Sequence, residues 1–157
     1  MTDPKPRTDA DFGRTLADFS VPSEPGNERL AMETVAETAK GFGFSGENLE
    51  RLKTAVAEAT MNAMEHGNNY RPELPVELQV LATDGDFLVR ITDRGSGPPP
   101  TDAGDTPDIG AKLEGLQKAR GWGLFLIKSM VDEMNVTGDE GHHTVELVVH
   151  LGAEGGK

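Results

Sequence analysis

Two runs of alternating hydrophobicity flank the pair Asp84-Gly85, and they restrict the fold more than any other part of the chain. In Val76–Ala82 the residues Val76, Leu78 and Val80 share one side, and in Phe87–Thr92 so do Phe87, Val89 and Ile91. A period of two marks a strand with one buried face. An Asp-Gly pair between two such strands predicts a two-residue hairpin turn with positive φ. One hairpin with one apolar face needs a second layer to cover it, and the preceding sequence supplies it. In Asn27–Lys40 the apolar residues Leu30, Met32, Val35, Ala36 and Ala39 recur at near-helical spacing. A second helix is expected from about Gly46 to Glu65, burying Leu49, Leu52, Val56, Ala59 and Ala63. Ser45 is its natural N-cap, with Asn48 where a full capping box has Glu or Gln.

The remaining elements complete the sandwich. Arg14–Val21 reads as a short irregular strand with Leu16 and either Phe19 or Val21 turned inward. Ile109–Lys118 fits a short helix, and Trp122–Glu133 a clearer one with Leu124, Ile127, Met130 and Val131 inward. Thr144–Leu151 closes the sheet. The expected class is α+β: a two-layer α/β sandwich whose mixed, mostly antiparallel sheet is covered by helices on one face. Residues 1–12, polar and carrying Pro4 and Pro6, read as a disordered leader; 13–151 form the domain and 152–157 a flexible tail.

Charge and composition narrow the function classes. A net charge of −12 disfavours direct nucleic-acid binding, because an acidic surface repels phosphate backbones. The chain has no cysteine, which closes off disulfides and thiolate metal sites. No apolar run approaches the roughly 20 residues that cross a bilayer, so no membrane association is expected and a cytoplasmic protein is the default.

Three short stretches carry the chemistry. On the second helix Glu58, Asn62, Glu65 and His66 stand at i, i+4, i+7 and i+8, on a face expected to turn away from the buried stripe. An Asn carbonyl oxygen is a neutral, hard ligand suited to magnesium, which keeps waters and phosphate oxygens in its shell. A Glu one turn away can accept a proton, orient a water, or take the hydroxyl proton of a phosphoryl acceptor. Asp93-Arg-Gly95-Ser-Gly97 begins where the second hairpin strand stops. Its carboxylate can accept a hydrogen bond from an exocyclic amine such as adenine N6, and its glycines let backbone pass close to a flat base. Gly121-Trp122-Gly123 precedes an apolar helix, where free amides form an anion site; Lys118 and Arg120 add positive charge beside it. The Pro/Gly/Asp-containing segment between Gly97 and Gly121 reads as a lid over a nucleotide. Neither a Rossmann fingerprint nor a P-loop is present. Each stretch alone also fits an ordinary solvated face, turn or hinge.

Together, in this order and spacing, the stretches resemble the N, G1 and G2 boxes of the GHKL ATPases. Within that fold the chain is most similar to the anti-sigma-factor serine kinases of the RsbW/SpoIIAB type, over roughly Arg14 to Leu151. The resemblance implies ATP and magnesium as cofactors and phosphorylation of a serine or threonine on an anti-anti-sigma, STAS-like partner. It also implies binding of a sigma factor in a partner switch, and a homodimer. Carried across, Glu58 is the general base, Asn62 the magnesium ligand and Asp93 the holder of the adenine amine. Gly95 and Gly97 then lie beside the base. Gly121 and Gly123 contact the phosphates through their amides, Trp122 and Leu124 belong to the same cofactor-binding stretch, and Lys118 and Arg120 compete for the adjoining basic position. The alternative is a non-catalytic, ATP-gated binding module for a signalling partner.

Overall fold

The computed structural model describes residues 14–95, 124–138 and 141–151. Strand β1 (Arg14–Val21) is followed by helices α1 (Asn27–Lys40) and α2 (Gly46–Asn62), then one π-helical turn, Ala63–Gly67. Strands β2 (Val76–Ala82) and β3 (Asp86–Asp93) form the hairpin. Residues 124–130 are helical (α3), and β4 (Glu133–Gly138) and β5 (His143–His150) complete the sheet. Strand order is β1-β2-β3-β5-β4, and every pairing among the described strands is antiparallel.

The alternation works as the sequence predicts. Val76, Leu78, Val80, Phe87, Val89, Ile91, Val145 and Leu147 are buried in one core with the helices. Phe87 is sealed by Phe44 and Phe42, at ring-centroid distances of 4.9 and 5.9 Å. Those two rings reach it because α1 stops at Gly41 and the chain reverses through Gly43, whose φ of 97° favours a residue without Cβ. At the start of α2 the Asn48 Oδ1 accepts the Ser45 N–H at 2.9 Å, so Asn performs the reach-back of a capping-box Glu.

Four expectations need correction. Leu30 is 52% exposed, and Ala31 is buried in its place beside Val35, Ala36 and Ala39. The buried repeat 31-35-39 puts alanine where α1 packs on α2, and Leu30 lies a hundred degrees round the helix from it. The Asp84-Gly85 turn contains no positive φ. The Thr83 hydroxyl instead accepts the Gly85 and Asp86 N–H groups at 3.2 and 2.9 Å, while the Thr83 N–H donates to the Asp86 carbonyl at 2.8 Å. The C-terminal helix ends by residue 130 rather than Glu133, and β4 follows as an additional edge strand. The last strand begins one residue early, at His143. The expected helix Ile109–Lys118, the leader, the tail and the lid lie outside the described residues.

The sheet face away from the helices is polar over most of its length. Arg90 donates to Glu146 at 2.9 Å and the Thr92 and Thr144 hydroxyls meet at 2.9 Å. At the far end of that face Leu81, Leu88 and Val148 form a separate small apolar cluster. Beside it, His150 Nδ1 lies 2.8 Å from Asp86 Oδ1 and Nε2 lies 3.3 Å from Glu133 Oε2. The Asp86 hydrogen bond, ahead of the nearby Asp132, Asp86 and Glu133 charges, raises the His150 pKa above its ordinary 6.5. A pKa raised by folding stabilises below the unfolded value and loses that contribution as pH rises through the folded value. Wild type should therefore exceed His150→Gln in thermal midpoint at pH below 6.5, with the difference shrinking as pH rises above it. A difference that grows with pH would contradict the pairing.

Candidate active site

The last turn of α2 changes pitch immediately after Asn62. The Asn68 N–H donates to the Ala63 carbonyl five residues back at 2.9 Å, and the Tyr70 N–H to Met64 at 2.7 Å. Asn69 and Tyr70, both at φ 54°, then close the helix in the left-handed region. Widened turns of this kind re-aim side chains and occur at functional sites. Glu65 and His66 therefore sit on the widened turn rather than on the regular helix that carries Glu58 and Asn62. Glu65 is exposed, and it stands 3.9 Å from the half-buried His66.

The π turn delivers Gly67 against the end of β3. A methyl group on Gly67 would overlap the Asp93 carboxylate, and one on Gly95 would overlap the Gly67 carbonyl. The two glycines thus allow one backbone to lie on the other. Asn68 locks this junction. Its Nδ2 donates to Ser23 Oγ at 3.0 Å and to the Leu74 and Pro75 carbonyls at 2.8 and 3.2 Å, and its Oδ1 accepts the Arg94 N–H at 2.8 Å. Asn68 and Ser23 are fully buried. One amide therefore ties the α2 exit, the segment after β1, the approach to β2 and the chain leaving β3.

Asp93, 4% exposed, ends β3 opposite His143, 3% exposed, which opens β5. Asp93 Oδ1 accepts the Gly95 N–H at 2.8 Å and meets His143 Nδ1 at 3.0 Å. Both bonds use the same oxygen, and Oδ2 lies beside Gly67. Asp93 and Asn62 line one recess whose apolar walls include Ala59, Ile91, Leu124 and Val145. Asn62 lies closer to the buried stripe than its expected position suggests: its neighbours Ala59 and Ala63 belong to that stripe. Among the described residues its Nδ2 is buried with no hydrogen-bond partner, and Oδ1 accepts no bond.

Glu58 is half-buried one turn before Asn62, outside the recess lining. Burial, then the Glu28 carboxylate from α1, raises its pKa above 4.5. A carboxylate made more basic in this way is a better proton acceptor near neutral pH. Of the other expected site residues, Gly95 and Leu124 are buried at the site. Gly97, Lys118, Arg120, Gly121, Trp122 and Gly123 lie outside the described residues.

Sequence reasoning passed over Asn68 and His143, and gave Gly67, the last residue of the first stretch, no role of its own. For His143 a signal existed: it shares the parity of Val145 and Leu147, which puts it on the inward face. Asn68, in an irregular Asn-Asn loop, has no periodicity to reveal it.

Residues 21–149 match the histidine kinase-like ATPase domain. The chain is 33% identical over 118 residues to the anti-sigma F factor of Geobacillus stearothermophilus, covering 75% of this chain and 78% of that protein. It is 29% identical over 132 residues to the serine-protein kinase RsbW of Oceanobacillus iheyensis, covering 79% and 80% respectively. Its fold is similar to the crystal structure of the SiaB-SiaC complex from Pseudomonas aeruginosa, with a TM-score of 0.59 at 13% identity over 87% of this chain and 90% of that one. Among the described residues no helix is long and apolar enough to cross a membrane. With the matched region spanning all the described elements from the end of β1 to β5, the chain belongs to the histidine kinase-like ATPase family.

Proposed function

We propose that this protein is an ATP-dependent serine/threonine kinase of the anti-sigma-factor type. It phosphorylates an anti-anti-sigma, STAS-like partner and binds a sigma factor in a partner switch. The observation that carries this reading is the convergence of Asn62 and Asp93, from the ends of α2 and β3, on one recess, where Asn62 Oδ1 and Asp93 Oδ2 accept no hydrogen bond among the described residues. Relatives named as an anti-sigma F factor and a serine-protein kinase support the choice of chemistry.

In this assignment Asp93 Oδ2 accepts a hydrogen bond from the adenine amine, with Gly95 and Gly97 beside the base. Leu124 closes the apolar wall. Gly121, Trp122 and Gly123, with Lys118 or Arg120, hold the phosphates. Glu58 takes the proton from the acceptor hydroxyl as it attacks. Asn62 suits a magnesium ion: with Nδ2 turned into the fold, its hard carbonyl oxygen is the end left for a cation. Magnesium bound with the triphosphate neutralises charge on the oxygens, and the protein's share of the work is positioning. The same proposal includes a homodimer, a cytoplasmic setting, and a domain spanning residues 13–151.

Incubation with magnesium, radiolabelled ATP and candidate STAS-like proteins should place phosphate on a Ser or Thr of the partner. Saturable ATP binding without transfer to any such partner would favour the nucleotide-gated binding module instead. Asn62→Ala should weaken ATP binding in magnesium and leave binding in excess chelator little changed. Unaltered magnesium dependence would remove Asn62 from the metal site.

A further inference from the structure

The Asp93–His143 pair is the buried polar contact that the proposed kinase chemistry leaves unused. We infer that His143 is a specificity-determining positioning residue: by donating to Asp93 Oδ1, it reserves Oδ2 as the single acceptor for a 6-amino purine. This rests on reading Asp93 as the site for the base.

Three observations lead there. First, the two residues are directly opposite in the β3–β5 register and both are nearly inaccessible, so the contact is part of the fold. Second, two donors from different chain segments, the Gly95 N–H at 2.8 Å and His143 Nδ1 at 3.0 Å, converge on one oxygen. A carboxylate held from two sides cannot turn about its Cβ–Cγ bond without breaking one of them. Third, Cγ and one side of Oδ2 are packed against Gly67, where no Cβ fits, so Oδ2 is walled on that side. The remaining oxygen is thereby offered in one orientation, and it can only accept.

An acceptor fixed in this way discriminates between ligands. A 6-amino purine donates an N–H to it, while a 6-oxo purine places a second acceptor against the carboxylate. Hydrogen bonds to charged groups are worth about 1.5–3 kcal/mol, roughly ten- to a hundredfold in affinity. Without the His143 donor the carboxylate is oriented by the Gly95 N–H alone, and the preference weakens.

The test compares Kd for ATP and for inosine triphosphate, both with magnesium, by calorimetry on the full chain. Wild type should prefer ATP by about ten- to a hundredfold. His143→Leu, which removes the donor, should bring the two affinities within about threefold of each other, roughly 0.7 kcal/mol. His143→Asn, whose amide can donate from near the Nδ1 position, should retain the preference. If the Leu variant does not melt cooperatively, His143→Met takes its place under the same criterion. An unchanged ATP preference in the donor-less variant overturns the inference, and so does an Asn variant as indiscriminate as Leu. Wild type that binds neither nucleotide saturably overturns instead the nucleotide reading beneath it.

Discussion

Glu58→Ala is expected to reduce phosphoryl transfer by about 10²–10⁴-fold, the usual contribution of a positioned general base, while ATP binding persists. The side chain stands one turn before Asn62 and outside the recess lining, so its removal opens no hole in the nucleotide contacts. Its basicity comes from burial first and from Glu28 second. That gives the pH profile a defined direction. Transfer needs the deprotonated carboxylate, so activity should fall on acidification through a pKa above 4.5. Glu28→Gln removes the like charge and should move this acid limb to lower pH without abolishing transfer. Phosphate incorporation into the partner and fluorescent-nucleotide binding, measured on the same preparations, separate the two roles. Transfer by Glu58→Ala at the wild-type rate would strip Glu58 of its part.

The second large effect is expected at Gly67. Alanine there must displace the Asp93 carboxylate, and displacement breaks the bonds from Gly95 and His143 together. Overpacking of a closed interior costs about 1–3 kcal/mol, and ATP binding should be lost with the geometry of Asp93. Gly95→Ala should behave alike, since its methyl group would meet the Gly67 carbonyl, a backbone atom that cannot swing aside. Gly85→Ala is the control. Nothing lies within 4 Å of a Cβ there and the residue has no positive φ, so stability should stay within about 0.5 kcal/mol of wild type. Thermal melts of the three variants, with and without ATP, decide the matter. A Gly67→Ala protein that melts like wild type and still binds ATP would show that the contact yields easily.

Most of the scaffold could be read from periodicity. The bounds of α1 and β2 coincide with the expected ones because a single period governs each segment, and those of β1 coincide although its register shifts between Thr15 and Ala17. β4 escaped because its six residues contain only two inward apolar positions, Met134 and Val136, directly after a helical pattern. The π turn escaped for a related reason: a 3.6-residue reading runs through Ala63–Gly67 without a break, since the widened pitch is imposed by the docking of Gly67 on β3. At the site, residue type and order along the chain were enough to nominate Asn62 and Asp93. The parity of His143 marks it as inward, but what it and Asn68 support was not legible, because they act on segments 50 and 26 residues away. Such partners exist only once the sheet has formed.

The four-way bonding of Asn68 has a bearing on energetics. Because that buried amide already ties the strand end carrying Asp93 to the helix exit near Asn62, this end of the cleft stands assembled before any guest arrives. Entropy spent on ordering is then owed elsewhere in the protein, and rigid receptors of this sort convert more of each contact into affinity.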